Sequence, residues 1–136
     1  MFIGIDLIEI HRIASAINNQ RFVARVYSQA EQDQAVALTS ERRVAEYYAG
    51  RFAAKEAAFK ALSALYEERL PDLPGDHHAP PFAFNEIQTL ANASGLPHLS
   101  FNGDLFEWLK VFPRIHTQVS ISHTRSLCTA IVLLHA

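Results

Sequence analysis

The sequence contains little that would mark a secreted, membrane or nucleic-acid-binding protein. Its single cysteine, Cys128, cannot form an internal disulfide bond, which fits a reducing cytoplasm. The first residues lack the pattern of a signal peptide, and no apolar run approaches the roughly 20 residues of a membrane-spanning helix. Neither sign of charge dominates, since the net charge is −2 and the pI is near 6.4, so nucleic acid is a poor match as a partner. We therefore expect a cytoplasmic protein.

The hydrophobic pattern predicts an α+β fold, a single small domain over residues 1–136 whose largely antiparallel sheet packs on a long central helix. The predicted strands cover residues 2–8, 82–90, 97–101, 117–122 and 127–134. The predicted helices cover residues 9–18, 29–37, 41–66 and 104–111. Residues 67–81 contain four prolines and predict an inserted, Pro-rich surface loop. We expect no metal site in this loop, because its adjacent Asp76, His77 and His78 would seldom converge on one ion.

The segment 51–62, RFAAKEAAFKAL, is the most informative part of the sequence. It is rich in good helix formers and contains no Gly or Pro, so it predicts a helix. At roughly 100° per residue, Glu56 falls on a mostly apolar stripe. The stripe also contains Ala45, Ala49, Phe52, Phe59 and Ser63. A carboxylate on such a face is costly unless it is paired, protonated or bound to a metal.

Glu56 also has a simpler interpretation. It precedes Lys60 by four residues, in the order that supports an ion pair on a solvated helix. Arg51 and Lys55 flank this pair, so the segment could be a charged helix edge that binds nothing. The sequence of the helix alone leaves both interpretations open.

A second carboxylate, Asp6, lies inside the predicted first strand, MFIGIDLIEI. Asp is disfavoured within strands, and a buried one needs a partner. It could instead cap the next helix, although the apolar run continues past it and a better helix start lies near Glu9. Two carboxylates in apolar surroundings suit a hard cation such as Mg²⁺, which takes one or two carboxylates and completes its shell with water and phosphate.

Three motifs, GIDLIEIHRI, RFAAKEAAFKAL and SISHT, together resemble the holo-acyl-carrier-protein synthases, which are small phosphopantetheinyl transferases. A Gly95-Leu96-Pro97 turn before a strand is also similar to the family. The resemblance runs over nearly the whole chain, with residues 63–81 as the main exception. It implies the 4'-phosphopantetheinyl transferase fold. It also implies transfer of 4'-phosphopantetheine from coenzyme A to a serine of an apo acyl carrier protein, with release of adenosine 3',5'-bisphosphate.

The same resemblance assigns roles to individual residues. It implies that Asp6 and Glu56 hold Mg²⁺ and that Lys60 contacts the phosphates and stabilises the leaving bisphosphate. It places Arg51 at the nucleotide, and the last motif adds His123 and Thr124 to the cofactor-binding residues. The general base stays open between Glu56 and a metal-bound water that Glu56 orients.

The resemblance also implies partners. Residues 1–60 contain eight Lys or Arg against seven Asp or Glu, whereas residues 61–113 contain two against seven. Arg12, Arg21 and Arg25 would bind the acidic carrier protein, although a solvated helix face would have the same composition. The family further implies a homotrimer with active sites between subunits.

The sequence departs from the family pattern at two places, and each difference leads to a further prediction. Where the family has a Gly-Thr-Gly turn after the motif helix, this chain has residues 63–68, SALYEE, which predict more helix. This difference suggests a specialised carrier protein, as in a polyketide or secondary lipid pathway. Thr124 stands where some relatives have Asp, so no acidic partner is expected for His123.

The alternatives to a phosphopantetheinyl transferase are a non-catalytic paralogue that binds carrier protein, or another Mg²⁺-dependent phosphoryl-transfer enzyme.

Overall fold

A computed structural model describes residues 1–73, 75–76 and 78–136. His77, named above with its neighbours in the Pro-rich loop, lies outside the described residues. The strands are β1 Phe2–Glu9, β2 Ile87–Ala91, β3 Pro97–Phe101, β4 His116–His123 and β5 Leu127–His135. The helices are α1 Ile10–Ala16, α2 Gln20–Val26, α3 Gln29–Ala35, α4 Glu41–Arg69 and α5 Gly103–Leu109. None of the helices in the described part of the chain has the length and apolar character needed to cross a membrane.

The strands form two antiparallel sheets. β1, β5 and β4 lie side by side in that order, with Phe2 opposite Leu134 and His116 opposite His135. β2 and β3 form a separate hairpin. The predicted α+β fold, with an antiparallel sheet on one long helix, is confirmed.

α4 forms the centre of the molecule and packs on the inner face of β1 and β5. Ala49, Ala53, Ala57 and Ala61 recur every four residues and are completely buried. Such small side chains allow strands to approach the helix backbone closely. The approach is closest at Gly4, where a Cβ atom would lie 1.8 Å from the carbonyl oxygen of Ala57. Only glycine fits at this position of β1.

The structure corrects several predicted boundaries. Residues 20–26 form α2, which the sequence did not predict, and the Asn19 side chain accepts hydrogen bonds from the first turn of this helix. α4 continues to Arg69, so residues 67–69 are helical and do not belong to the Pro-rich loop. β2 begins at Ile87 and not at residue 82, because Phe84–Glu86 forms a short 3₁₀ helix.

Candidate active site

Asp6 lies on the inner face of β1. Side chains alternate along this strand, so that Phe2, Gly4 and Ile8 point toward α4 together with Asp6. The Asp6 side chain is 17% exposed. It is not a helix cap, because α1 begins at Ile10 and Glu9 occupies the N-cap position.

Lys60 joins Asp6 from α4. Its Nζ donates hydrogen bonds to Asp6 Oδ1 at 3.2 Å and to the Ile5 carbonyl oxygen at 2.8 Å. The ion pair between Glu56 and Lys60, which belonged to the charged-edge alternative, is absent from the described residues, and Lys60 pairs with Asp6 instead. Lys60 therefore ties α4 to β1 at the position of the first carboxylate.

Glu56 and Asp6 line one cavity of about 340 Å³, together with Arg12, Phe22 and Phe52. Glu56 is half-buried, and burial raises the pKa of its carboxyl group above the ordinary value. The negative charge of Asp6 raises this pKa further, whereas Lys60 lowers it. The two carboxylates thus share a desolvated space and repel each other, an arrangement that favours a bound cation.

Arg51, His123 and Thr124 do not line this cavity. Arg51 lies five residues before Glu56 on α4 and points roughly 140° away from it. Its guanidinium group stacks on the Tyr47 ring at 3.9 Å, and its buried Nε has no hydrogen-bond acceptor among the described residues. The Thr124 hydroxyl accepts hydrogen bonds from the turn between β4 and β5.

His123 does have an acidic neighbour, contrary to the expectation from the sequence. Its Nε2 lies 3.9 Å from Glu46 Oε2, on the first turns of α4. Arg42 Nε in turn donates to Glu46 Oε1 at 2.9 Å. Glu46 is 77 residues from His123 in the chain, so no local pattern linked them.

Lys55 does not lie at a charged helix edge, which was one of the two interpretations left open by the sequence. Lys55 and Glu31 are both completely buried, and Lys55 Nζ donates to Glu31 Oε1 at 2.6 Å. Burial lowers the pKa of Lys55, and the Glu31 carboxylate opposes that change. A capping box does mark Glu31 as the third residue of α3, but nothing in the sequence pairs it with Lys55.

The three arginines predicted to bind a partner are all exposed. Arg12 lies on α1 at the cavity, whereas Arg21 and Arg25 lie four residues apart on α2 and share a face. A separate cavity of about 460 Å³ lies between β3, α5 and β4 and contains none of the predicted site residues.

Comparisons with known proteins identify the family of this chain. A family model described as the 4'-phosphopantetheinyl transferase superfamily matches residues 2–132. The chain belongs to this superfamily. The resemblance inferred from the motifs is confirmed, and the predicted class of enzyme with it.

Curated relatives in this superfamily match over nearly their whole length. The holo-[acyl-carrier-protein] synthase of Halalkalibacterium halodurans is 36% identical over 132 residues, which are 96% of this chain and 92% of the relative. The synthase of the same name from Clostridium acetobutylicum is 31% identical over 97% of this chain and 94% of its own.

Solved structures of the superfamily share the fold. A Bacillus anthracis holo-(acyl-carrier-protein) synthase in complex with CoA (3',5'-ADP) gives a TM-score of 0.70 at 29% identity, over 98% of this chain and 94% of that one. A Chronobacterium ammoniagenes ACPS–CoA complex gives a TM-score of 0.77 at 28% identity, over 98% and 96%.

Proposed function

We propose that this protein transfers 4'-phosphopantetheine from coenzyme A to a serine of an apo acyl carrier protein in a Mg²⁺-dependent reaction. The observation that carries the proposal is that Asp6 and Glu56 line one cavity while Lys60 hydrogen-bonds to Asp6. The names of the relatives and the coenzyme A complexes of similar structures support it.

The residues present fit a magnesium ion. Asp6 and Glu56 supply two carboxylates, and the described residues contain no group of three acidic, His or Cys side chains that would form a closed metal cage. Mg²⁺ takes few protein ligands and keeps positions for water and phosphate. When bound, it would neutralise charge on the pyrophosphate of coenzyme A.

The chain's own residues account for the remaining steps. The carrier serine oxygen forms a bond to the β-phosphorus, and the bond from that phosphorus to the bisphosphate oxygen breaks, releasing adenosine 3',5'-bisphosphate. Lys60, held by Ile5 and Asp6, stabilises charge on the leaving group. Glu56 takes the serine proton directly or through a water that it orients, and its raised pKa suits either role.

Arg51 and His123 form a second group of residues that we assign, with Thr124, to the nucleotide. The guanidinium group of Arg51, whose Nε has no acceptor among the described residues, and the exposed ring of His123 offer nitrogen donors for phosphate. Because neither residue lines the cavity of Asp6 and Glu56, we propose that the complete site forms between subunits, each contributing one group.

A homotrimer would provide such sites, and the outer face of β1 supports subunit association. Ile3, Ile5 and Leu7 are about 60% exposed there and stand next to Ile131 and Leu133 of β5. A contiguous apolar sheet face of this kind marks an interaction surface. We propose that a second copy of the chain covers it.

We propose that Arg12, Arg21 and Arg25 guide the acidic carrier to this site. Arg12 stands at the mouth of the cavity, so a carrier bound to it would bring its serine toward Glu56. The other two arginines extend the cationic surface along α2. Such charges act mainly on the rate of encounter and on orientation.

The test is the intact mass of apo acyl carrier proteins after incubation with the protein, coenzyme A and Mg²⁺. We expect a gain of one phosphopantetheine group with the wild type and none with Glu56→Gln. Glu68→Gln, on an exposed turn of the same helix, is the matched control and should transfer normally. Carrier binding that ignores Mg²⁺ and coenzyme A would instead indicate a non-catalytic paralogue, and phosphate release without carrier would indicate another phosphoryl-transfer enzyme.

A further inference from the structure

The ion pair of Lys55 and Glu31 lies in the core, outside the proposed catalytic group. Lys55 uses all three of its ammonium protons, donating to Glu31 Oε1, to the Phe84 carbonyl oxygen at 3.0 Å and to the Ile87 carbonyl oxygen. Glu31 Oε1 also accepts from the Ser28 amide at 2.9 Å. Each group is therefore satisfied, as a buried charge must be.

The pair connects to Glu56, the carboxylate proposed to bind the metal, through aromatic rings. By holding the Phe84 carbonyl oxygen, Lys55 fixes Phe84, whose ring packs on the Phe52 ring at a centroid distance of 6.3 Å. Phe52 is a wall of the cavity that contains Asp6 and Glu56. The Phe84 ring also meets Phe59 at 6.5 Å, so it spans the two aromatic residues on either side of Glu56 along α4.

The pair connects to the second group of site residues through Tyr47. The Tyr47 hydroxyl donates to the Glu31 carbonyl oxygen at 2.6 Å. The same Tyr47 ring supports the Arg51 guanidinium at 3.9 Å. Glu31 Oε2 accepts from the Thr89 amide at 3.1 Å, which anchors the whole arrangement on β2.

We infer that Lys55 and Glu31 are positioning residues for the transfer reaction, because their buried ion pair holds the wall beside Glu56 and fixes Glu31, whose backbone carbonyl oxygen accepts from the Tyr47 that supports Arg51. The inference rests on the proposed function. A pair that served stability alone could be replaced by apolar or neutral residues of similar volume at little cost to the fold. A positioning pair could not be replaced in this way without loosening the site.

The test is the double variant Lys55→Met/Glu31→Gln. Met fills the volume of the Lys stem and Gln still caps α3, so both charges leave together, while the Phe84 and Ile87 carbonyl oxygens lose the donor that Lys55 supplied. The readouts are Mn²⁺ binding followed by electron paramagnetic resonance, coenzyme A binding by calorimetry, and kcat and KM for transfer. We expect at least fivefold weaker binding of Mn²⁺ and of coenzyme A and at least a tenfold fall in kcat, with cooperative thermal unfolding retained.

Leu105→Ala is the control for stability. Leu105 is completely buried in α5 and lines no part of the site, so its truncation should lower the thermal midpoint and leave Mn²⁺ binding unchanged. Phe84→Leu keeps the ion pair but removes the ring between Phe52 and Phe59. It should reproduce the loss of Mn²⁺ affinity, and it tests the positioning role on its own if the double variant does not fold.

Wild-type binding of Mn²⁺ and coenzyme A by variants that lack the pair or the Phe84 ring would overturn the inference. The wild-type transfer assay separates this outcome from failure of the proposed function. If the wild type transfers nothing, the proposed function fails, while the Mn²⁺ and coenzyme A affinities of the variants still decide whether the pair positions the site.

Discussion

Replacing Gly4 with alanine tests how the two carboxylates are brought together. The added Cβ would lie 1.8 Å from the Ala57 carbonyl oxygen and 2.7 Å from its carbon, both of which belong to the backbone of α4. A carbon and a carbonyl oxygen normally approach no closer than about 3.3 Å, so β1 must retreat by about 1.5 Å. Asp6 lies two residues further along β1 and would move with the strand, while Glu56, next to Ala57, stays on α4.

Two magnitudes follow from this retreat. Overpacking of a core costs about 1–3 kcal/mol, which corresponds to a fall in Tm of roughly 4–15 °C for a chain of this size. The hydrogen bond of 3.2 Å between Lys60 and Asp6 would not survive the displacement. Because a misplacement of about 1 Å can cost about 100-fold in rate, we expect transfer to fall by about two orders of magnitude.

The measurements are Tm by circular dichroism, Mn²⁺ affinity and kcat with saturating coenzyme A. Gly50→Ala is the matched control, because a Cβ there would meet only side-chain atoms, the nearest being Ile121 Cγ2 at 3.2 Å, and alanine favours the helix. Gly50→Ala should keep Mn²⁺ affinity within about threefold of the wild type. Wild-type Mn²⁺ affinity and kcat in folded Gly4→Ala would refute the reasoning.

Other predictions concern charge and association. Glu56→Gln should raise Tm at neutral pH while abolishing transfer, because the folded state raises the pKa of Glu56 and so disfavours its ionised form. An unchanged or lower Tm would show that the ionised Glu56 does not destabilise the folded state. For the same reason Mn²⁺ affinity should fall as the pH drops through the raised pKa of Glu56, and this loss should begin at a higher pH than an ordinary Glu would give. Glu68→Gln should leave the pH dependence of Mn²⁺ affinity unchanged. Ile5→Glu should convert the proposed trimer to monomers in light scattering, whereas Val36→Glu, at a position 83% exposed, should not. Arg21→Glu/Arg25→Glu should raise KM for carrier protein by about tenfold or more and make this KM less dependent on salt, while KM for coenzyme A stays unchanged. The control Arg114→Glu, at another exposed arginine, should change neither KM.

The local pattern predicted some elements well and others poorly, for physical reasons. α4 was predicted because a long run of good helix formers needs no tertiary information, and the structure adds a Ser40 cap at its start. α2 is as short as α1, α3 and α5, which were predicted, and it was missed because the Asn19 cap that begins it was not recognised. β2 was predicted too early because residues 82–86 are apolar enough for a strand, whereas Lys55 draws the Phe84 carbonyl into a turn.

The sequence by itself determined the family and the identity of the proposed catalytic group. Asp6 and Glu56 are carboxylates in apolar patterns, and such an anomaly can be detected residue by residue without knowing the fold. Tertiary structure alone decided which charges are buried and which groups meet. Lys55 meets Glu31 across 24 residues, His123 meets Glu46 across 77, and Gly4 meets Ala57 across 53. These contacts depend on how α3, β4 and β1 pack against α4, and no local periodicity encodes a distance between elements so far apart in the chain.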